Sequence, residues 1–434
     1  MGTGVLTVPF PRVDGELCAG PFRLSELAER FGTPLYVYHL EQIEARYHAF
    51  THAFREVDHL VAYSVKANGN LAILHRLGQL GAGADIVSLG ELYRARRAGI
   101  PTERMLYAGV GKTEEELREG IEAGIYSLNV ESRGELKRLD AVAASMGAVA
   151  PFAIRVNPEI VSPTPHEYTR TGHAETKFGV MVDEGFELYA WARGRPHLRA
   201  RGIDVHIGSQ ILEPRPYFDA LSRVIAMVPR LREEGDELEF VDIGGGYGVP
   251  YDAEPRLVIE DLANVILPLV KSAGLRLVME PGRFIVGEAG VLLTRVEYVK
   301  RLGTKWFVIV DGGMSELIRP SHYDAYHAIE PVVMPGAPHI EVVDVVGPIC
   351  ESGDFLARAR PLELPEPGDV LAVRTVGAYG FAMASNYNAR RRPAEILIEG
   401  DQAHVVRERE TIEDLVRGET IPWEKPGKGG RGER

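Results

Sequence analysis

From residue 60 to about residue 282 the chain repeats one pattern: a short apolar, β-branched run, then a longer stretch with apolar residues at helical spacing. The runs are LVAYSVKA (60–67), GADIVS (83–88), MLYAGV (105–110), YSLNV (126–130), PFAIRVN (151–157), GIDVHIGS (202–209), EFVDIGGG (239–246) and RLVMEPG (276–282). Amphipathic stretches such as GELYRARRAG, TEEELREGIEAG and SRGELKRLDAVAASMG separate most of them. Near-continuous apolar strands alternating with helices predict a parallel sheet buried on both faces. Eight such units in roughly 220 residues match a (β/α)8 barrel in number and size. A doubly wound open sheet is the competing arrangement.

After residue 290 the rhythm changes. VLLTRVEYV, KWFVIV, EVVDVV, DVLAVRTV, AEILI and AHVVR are separated by turn residues with few helical stretches, which predicts an antiparallel β domain. The expected division is 1–34 as an N-terminal segment packing on the β domain, 35–288 as the barrel, 289–422 as the β domain, and 423–434 as a disordered Gly/Lys/Arg-rich tail. The polar, Pro-rich segment 157–180 breaks the barrel rhythm; following the fifth strand, it would sit over the barrel mouth.

Composition narrows the function classes. Of 434 residues, 45% are hydrophobic and 26% charged, an ordinary globular balance. Lys and Arg total 49 against 62 Asp and Glu, a net charge of −13 whose mean field repels nucleic acid and anionic membrane. No cationic start precedes an apolar stretch, and no apolar run approaches a membrane span. Two cysteines, Cys18 and Cys350, are too few for a disulfide framework and point to a reducing, cytoplasmic setting. No segment has zinc-site spacing, so no metal is expected.

Barrel chemistry sits where strands end, and the special residues collect there. Lys66 closes the first run, His206 and Ser209 the sixth, Gly244, Gly245 and Gly246 the seventh, and Glu280 and Arg283 the eighth. A lysine at an apolar strand end is partly desolvated, which lowers its pKa and suits it to Schiff-base formation, unless its ammonium simply snorkels to water. The glycines of DIGGGYGVPY are not a dinucleotide fingerprint, because Val249 occupies the third glycine position. After a seventh strand they suit a phosphate, whose oxygens backbone N–H groups can approach, or else a tight turn. Glu280 could face a pyridinium N–H or pair with Arg283. His206 could stack on a planar ring, act as an acid, or be a hydrogen-bonded core histidine. In the β domain, Cys350 reads as a proton donor or a small buried hydrophobe. Arg319 with Tyr323 could bind a carboxylate or form a surface pair, and Tyr379 could reach a phosphate or pack in the core.

With these motifs assembled, the chain resembles the fold-type III pyridoxal-phosphate decarboxylases, and within them the diaminopimelate branch. The resemblance runs from about residue 20 to 420 through YSVKAN, HIGSQI, DIGGGYGVPY, EPGRFIV, DGGMSELIRPSHYDAYH, GPICESGD and GAYGFAMASNYN. It implies an alanine-racemase-type barrel with a β domain, and pyridoxal 5′-phosphate as cofactor. It implies that Lys66 bonds the cofactor covalently and that His206 stacks on its ring. Ser209, Gly244, Gly245, Gly246 and Tyr379 would hold the phosphate, Pro281, Gly282 and Arg283 would also bind the cofactor, and Glu280 would meet the pyridine nitrogen. Arg283, Arg319, Tyr323, Tyr379 and Glu351 would bind substrate. Cys350 would protonate Cα from the other subunit of a homodimer with shared sites. The implied reaction is decarboxylation of meso-2,6-diaminopimelate to L-lysine, the last step of lysine biosynthesis. One departure is Leu89 in IVSLGE, where the family usually carries a glycine. Same-fold decarboxylases of ornithine, lysine, arginine or carboxynorspermidine are the nearest rivals, but their substrates lack the distal carboxylate that two arginines suit. A cofactor-carrying regulatory protein would need no thiol at the reaction site, and a nicotinamide enzyme would need the missing fingerprint.

Overall fold

In the computed structural model, residues 9–160, 176–336 and 339–423 are described. Most of the segment expected over the barrel mouth, 161–175, and nearly all of the Gly/Lys/Arg-rich tail, 424–434, lie outside them. The eight apolar runs each contribute one parallel strand: β1 (His59–Ser64), β2 (Gly83–Ile86), β3 (Met105–Tyr107), β4 (Ser127–Val130), β5 (Ala150–Asn157), β6 (Leu198–Asp204), β7 (Phe240–Asp242) and β8 (Arg276–Met279). They pair in chain order, β8 pairs back to β1, and the sheet closes on itself as a barrel. The open doubly wound alternative is thereby excluded.

Local signals explain the helices between them. Thr113 and Glu116 form a capping box at the start of Glu114–Ala123, and Gly124 ends that helix in the left-handed conformation. Ser88 and Ser132 cap the helices after β2 and β4 by accepting from the backbone N–H of Glu91 and Glu135. Leu89 is the first residue of the helix Leu89–Arg97, a position without special backbone demands, and its side chain packs on the core. The lower barrel is plugged by Leu60, Leu106, Tyr126, Phe240 and Val278. A Cβ at Gly202 would lie 2.5 Å from the Phe240 ring, so the plug requires a glycine there.

Two features depart from the sequence expectation. Leu35–His39, placed above in the barrel, is a strand of the second sheet, between Gly290–Leu302 and Ala394–Glu399. The chain enters the barrel only at the helix Leu40–Ala53, whose Phe50 and Arg46 pack on Phe284 just after β8. This helix covers the seam between the last and first strands. The β domain is also mixed rather than antiparallel. Ala394–Glu399 runs parallel to Leu35–His39, and Lys305–Val310 parallel to Ile340–Val346. Neither pair is joined by a hairpin; long connections intervene, which parallel pairing requires. Phe10, Leu17, Leu24 and Leu27 pack on one face of this sheet against Val37, Val291 and Ile396.

Candidate active site

Strand register builds the site from below. Ser64 lies beside Asp85, and Arg155, Asp204 and Asp242 lie side by side, all at or near the C-terminal ends of the barrel strands. Together with Glu280, one residue past β8, these groups form a buried polar layer beneath a cavity of about 400 Å³. The cavity is lined by Lys66, His206, Ser209, Gly245, Gly246, Glu280, Gly282, Arg283, Arg319, Tyr323 and Tyr379, all expected from the sequence. Gly244 and Pro281 stand behind this lining: Gly244 O accepts from Glu280 N at 2.8 Å, and Pro281 O from Ser64 N at 3.1 Å. Cys350 and Glu351 are exposed and do not line it; Glu351 faces a separate hollow in the β domain.

Lys66 corrects one expectation. Its Nζ lies 2.7 Å from Asp85 Oδ2. Burial pulls its pKa down, but the charges of Asp85 and Glu280 more than offset this, and the net shift is upward. The amine is therefore held as an ammonium by Asp85, a fully buried strand residue that sequence reading missed. The only signal for it was a carboxylate inside the apolar run GADIVS. Arg155, Asp204 and Phe178 also line the cavity and were missed. Arg155 pairs with Glu131 at 3.1 Å.

His206 is neutral. Burial, then the charges of Arg155 and Lys66, hold its pKa well below the usual range, and its Nδ1 accepts from Gly245 N at 2.9 Å. The proton must sit on Nε2, which leaves a flat uncharged ring and argues against an acid role. The glycines that follow are needed for close approach. A Cβ on Gly244 would lie 2.5 Å from His206 Nδ1, on Gly245 2.4 Å from Glu280 O, and on Gly246 2.2 Å from Gly208 O. The expected three-amide cradle is smaller than read: Gly244 N donates to Asp242 Oδ1 and Gly245 N to His206. That leaves Gly246 as the member of the run whose amide is not spent in this way.

Glu280 lies buried among like charges. Burial, then the carboxylates of Asp242, Asp85 and Asp204, push its pKa well up, and burial lifts Asp242 to about 6. No ion pair joins Glu280 to Arg283 among the described residues; Arg283 donates instead to Tyr251 Oη and, at 3.2 Å, to Ser209 Oγ. Arg319 is 7% exposed, not a surface residue, and its Nε lies 3.3 Å from His327 Nε2. Burial, partly offset by the Tyr251 hydroxyl and reinforced by the Arg283 charge, lowers its pKa. Among the described residues neither guanidinium meets a carboxylate. The cavity thus has an acidic floor at Lys66 and, at its upper side, two cations that meet no carboxylate among the described residues.

Comparison with known proteins decides what this geometry serves. Residues 40–287 match the family model described as pyridoxal-dependent decarboxylase, pyridoxal binding domain. The chain belongs to the pyridoxal-dependent decarboxylases. It is 48% identical to the diaminopimelate decarboxylase of Pseudomonas aeruginosa, over 94% of this chain and 98% of that protein. A crystal structure of the diaminopimelate decarboxylase of Helicobacter pylori complexed with L-lysine is 42% identical, with a TM-score of 0.88 over 91% of this chain and 98% of that one. The M. jannaschii enzyme in co-complex with L-lysine is 38% identical, with a TM-score of 0.90 over 95% and 98% of the two chains.

Membership in this family brings pyridoxal phosphate, and the residues present fit it. Glu280 Oε1 is a buried oxygen with no hydrogen-bond partner, suited to a protonated ring nitrogen. Such a cation also relieves the crowding of Asp85, Asp204, Asp242 and Glu280, whose cationic neighbours among the described residues are Lys66 and Arg155. The glycine run lets backbone reach the cavity wall where any side chain would collide.

Proposed function

We propose that this protein removes CO2 from meso-diaminopimelate to give L-lysine, with pyridoxal phosphate bound at Lys66. The observation that carries the substrate assignment is the pair of guanidinium groups, Arg283 and Arg319, which open onto the Lys66 cavity and, among the described residues, meet no carboxylate. A substrate with a second amino-acid end supplies that carboxylate; ornithine, lysine and arginine do not.

When bound, the cofactor supplies an aldehyde that bonds an amine and a ring that accepts the electron pair left by CO2. The protein's residues do the rest. Lys66 would provide the amine that holds the cofactor, and Asp85, 2.7 Å from its Nζ, would hold that nitrogen as an ammonium whenever it is not bonded to the cofactor. Glu280 keeps the ring nitrogen protonated. The neutral His206 ring offers a flat face against which the cofactor ring is held. Ser209, Gly246 and Tyr379 bind phosphate, with Gly244, Gly245, Pro281 and Gly282 shaping the wall. Arg283, Arg319 and Tyr323 grip the substrate's far end.

Proton delivery to Cα falls to Cys350, with Glu351 beside it, contributed by a second copy of the chain in a two-fold dimer. What supports this is their exposure and their position outside the cavity of their own chain. An exposed free thiol also suits a reducing, cytoplasmic compartment. Among the described residues no helix is long and apolar enough to cross a membrane.

The test is turnover by purified, cofactor-supplemented protein. Meso-diaminopimelate is expected to yield CO2 and L-lysine in equal amounts. Equal or faster decarboxylation of lysine or ornithine overturns the assignment.

A further inference from the structure

The two guanidinium groups arrive from distant parts of the chain, Arg283 just past β8 and Arg319 from the β domain, and like charges do not come together unaided. What holds them is a pair of side chains outside the cavity lining. His327 is fully buried. Its Nδ1 lies 2.8 Å from the carbonyl oxygen of Arg374, so Nδ1 carries the proton and Nε2 presents a lone pair. That lone pair accepts from Arg319 Nε at 3.3 Å. The backbone on both sides of the contact is pinned: Arg360 donates to the His327 carbonyl at 2.8 Å, and Arg374 N donates to Ala328 O at 2.9 Å.

Tyr251 completes the support. Its hydroxyl accepts from Arg283 Nη1, and its ring centroid lies 5.7 Å from Arg283 Cζ and 5.3 Å from Arg319 Cζ. The negative face of one aromatic ring thus serves both cations. The His327 ring meets it edge-on, centroids 5.1 Å apart at 86°. With Nε engaged by His327, the fork left to Arg319 is its Nη pair. Arg283 Nε is buried without a partner. Both guanidiniums are oriented, and among the described residues neither meets a carboxylate, the condition for gripping an incoming one with little reorganisation.

We propose that His327 and Tyr251 are positioning residues that lock Arg319 and Arg283 into one carboxylate clamp, and so set the preference for a substrate with a distal carboxylate. This rests on the substrate reading above and goes beyond it by naming what makes the clamp rigid. Neutrality of His327 is part of the device. Burial, then the Arg319 charge, holds its pKa down at about 3, so it accepts from Arg319 rather than repelling it.

The experiment compares L-lysine with cadaverine, which is lysine without the carboxylate, as ligands of the cofactor-loaded enzyme, alongside KM and kcat for meso-diaminopimelate. Wild type is expected to bind L-lysine at least tenfold more tightly than cadaverine. If it does not, the substrate reading fails, and the clamp with it. Given that preference, His327→Leu is expected to weaken L-lysine and raise KM about tenfold, while kcat and cadaverine binding stay within about twofold. His327→Gln, which restores an acceptor and a donor, is expected to recover most of the loss. Tyr251→Phe keeps the ring but removes the acceptor for Arg283, and is expected to weaken L-lysine severalfold with cadaverine unchanged. If His327→Leu fails to fold, Tyr251→Phe decides alone. Unchanged L-lysine affinity, or equal loss for both ligands, overturns the clamp while leaving the substrate reading standing.

Discussion

Replacing Gly246 by alanine tests whether the glycine run serves close approach of backbone to cofactor. Gly246 has φ +91°, and a Cβ there would lie 2.2 Å from Gly208 O and 3.3 Å from Tyr217 Oη. Carbon–oxygen contacts rest at about 3.3 Å or more, so about 1 Å must open. Neither neighbour yields easily. Tyr217 is buried, stacked on Tyr247 with centroids 5.1 Å apart, and its hydroxyl is tied to Gly245 O at 3.0 Å. Backbone strain at this φ costs about 1–3 kcal/mol and overpacking about 1–3 more, a loss of about 2–6 kcal/mol. For a domain of this size that lowers Tm by about 4–24 °C. The control is Gly274→Ala at the end of the helix Ile259–Ala273, where φ is +60° and a Cβ meets nothing within 4 Å. That variant carries only backbone strain, about 1–2 kcal/mol. Calorimetry gives the two Tm values, and absorbance titration gives cofactor affinity. Gly246→Ala is expected to lose more Tm than Gly274→Ala and to bind cofactor at least tenfold more weakly, because the Gly208–Ser209 turn must move. Equal Tm losses with cofactor affinity retained would refute the close-approach reasoning.

Mixing inactive Lys66→Ala and Cys350→Ala under subunit exchange should form about half heterodimers, each with one intact site, and recover about a quarter of wild-type activity. No recovery, with exchange confirmed by mass spectrometry, rejects the shared site. Asp85→Asn removes the main charge holding Lys66 as an ammonium, so an amine-selective reagent should label Lys66 of the cofactor-free protein at least tenfold faster at pH 8, a tenfold rate for each unit by which the pKa falls; an unchanged rate means that Asp85 does not control the amine. Glu91 is pushed up to about 7, by burial and then by the Asp85 charge. A folded-state pKa above the unfolded value means stability present at low pH is lost as pH rises through about 7. Glu91→Gln, which keeps an acceptor for Val87 N–H, should therefore raise Tm at pH 8 and little at pH 5. An equal gain at both values excludes the titration.

The barrel was legible because its information is local. Each apolar run is a buried parallel strand, each S-x-x-E or T-x-x-E start is a capped helix, and eight repeats are what the closed sheet needs. Lys66, the glycines at 244–246 and Glu280 stood out for the same reason, each being the wrong residue type for the end of an apolar strand unless a ligand meets it. What remained hidden depends on which strands become neighbours. Leu35–His39 reads like any apolar strand; only its pairing with Gly290–Leu302 and Ala394–Glu399 assigns it to the second sheet. The pKa of Lys66 was expected to fall, since desolvation is visible from the run around it. It rises because strand register brings Asp85 beside Ser64, and a charge at 2.7 Å outweighs burial. The acidic layer of Asp204, Asp242 and Glu280 arises likewise at the adjoining C-terminal ends of three strands, which no single strand encodes. Tyr251 and His327 looked like ordinary members of their motifs until folding set them between two arginines. Sequence alone determined which elements form and which residues need a partner; tertiary structure decided who the partners are, because electrostatic and hydrogen-bond energies depend on distance in space and not on separation along the chain.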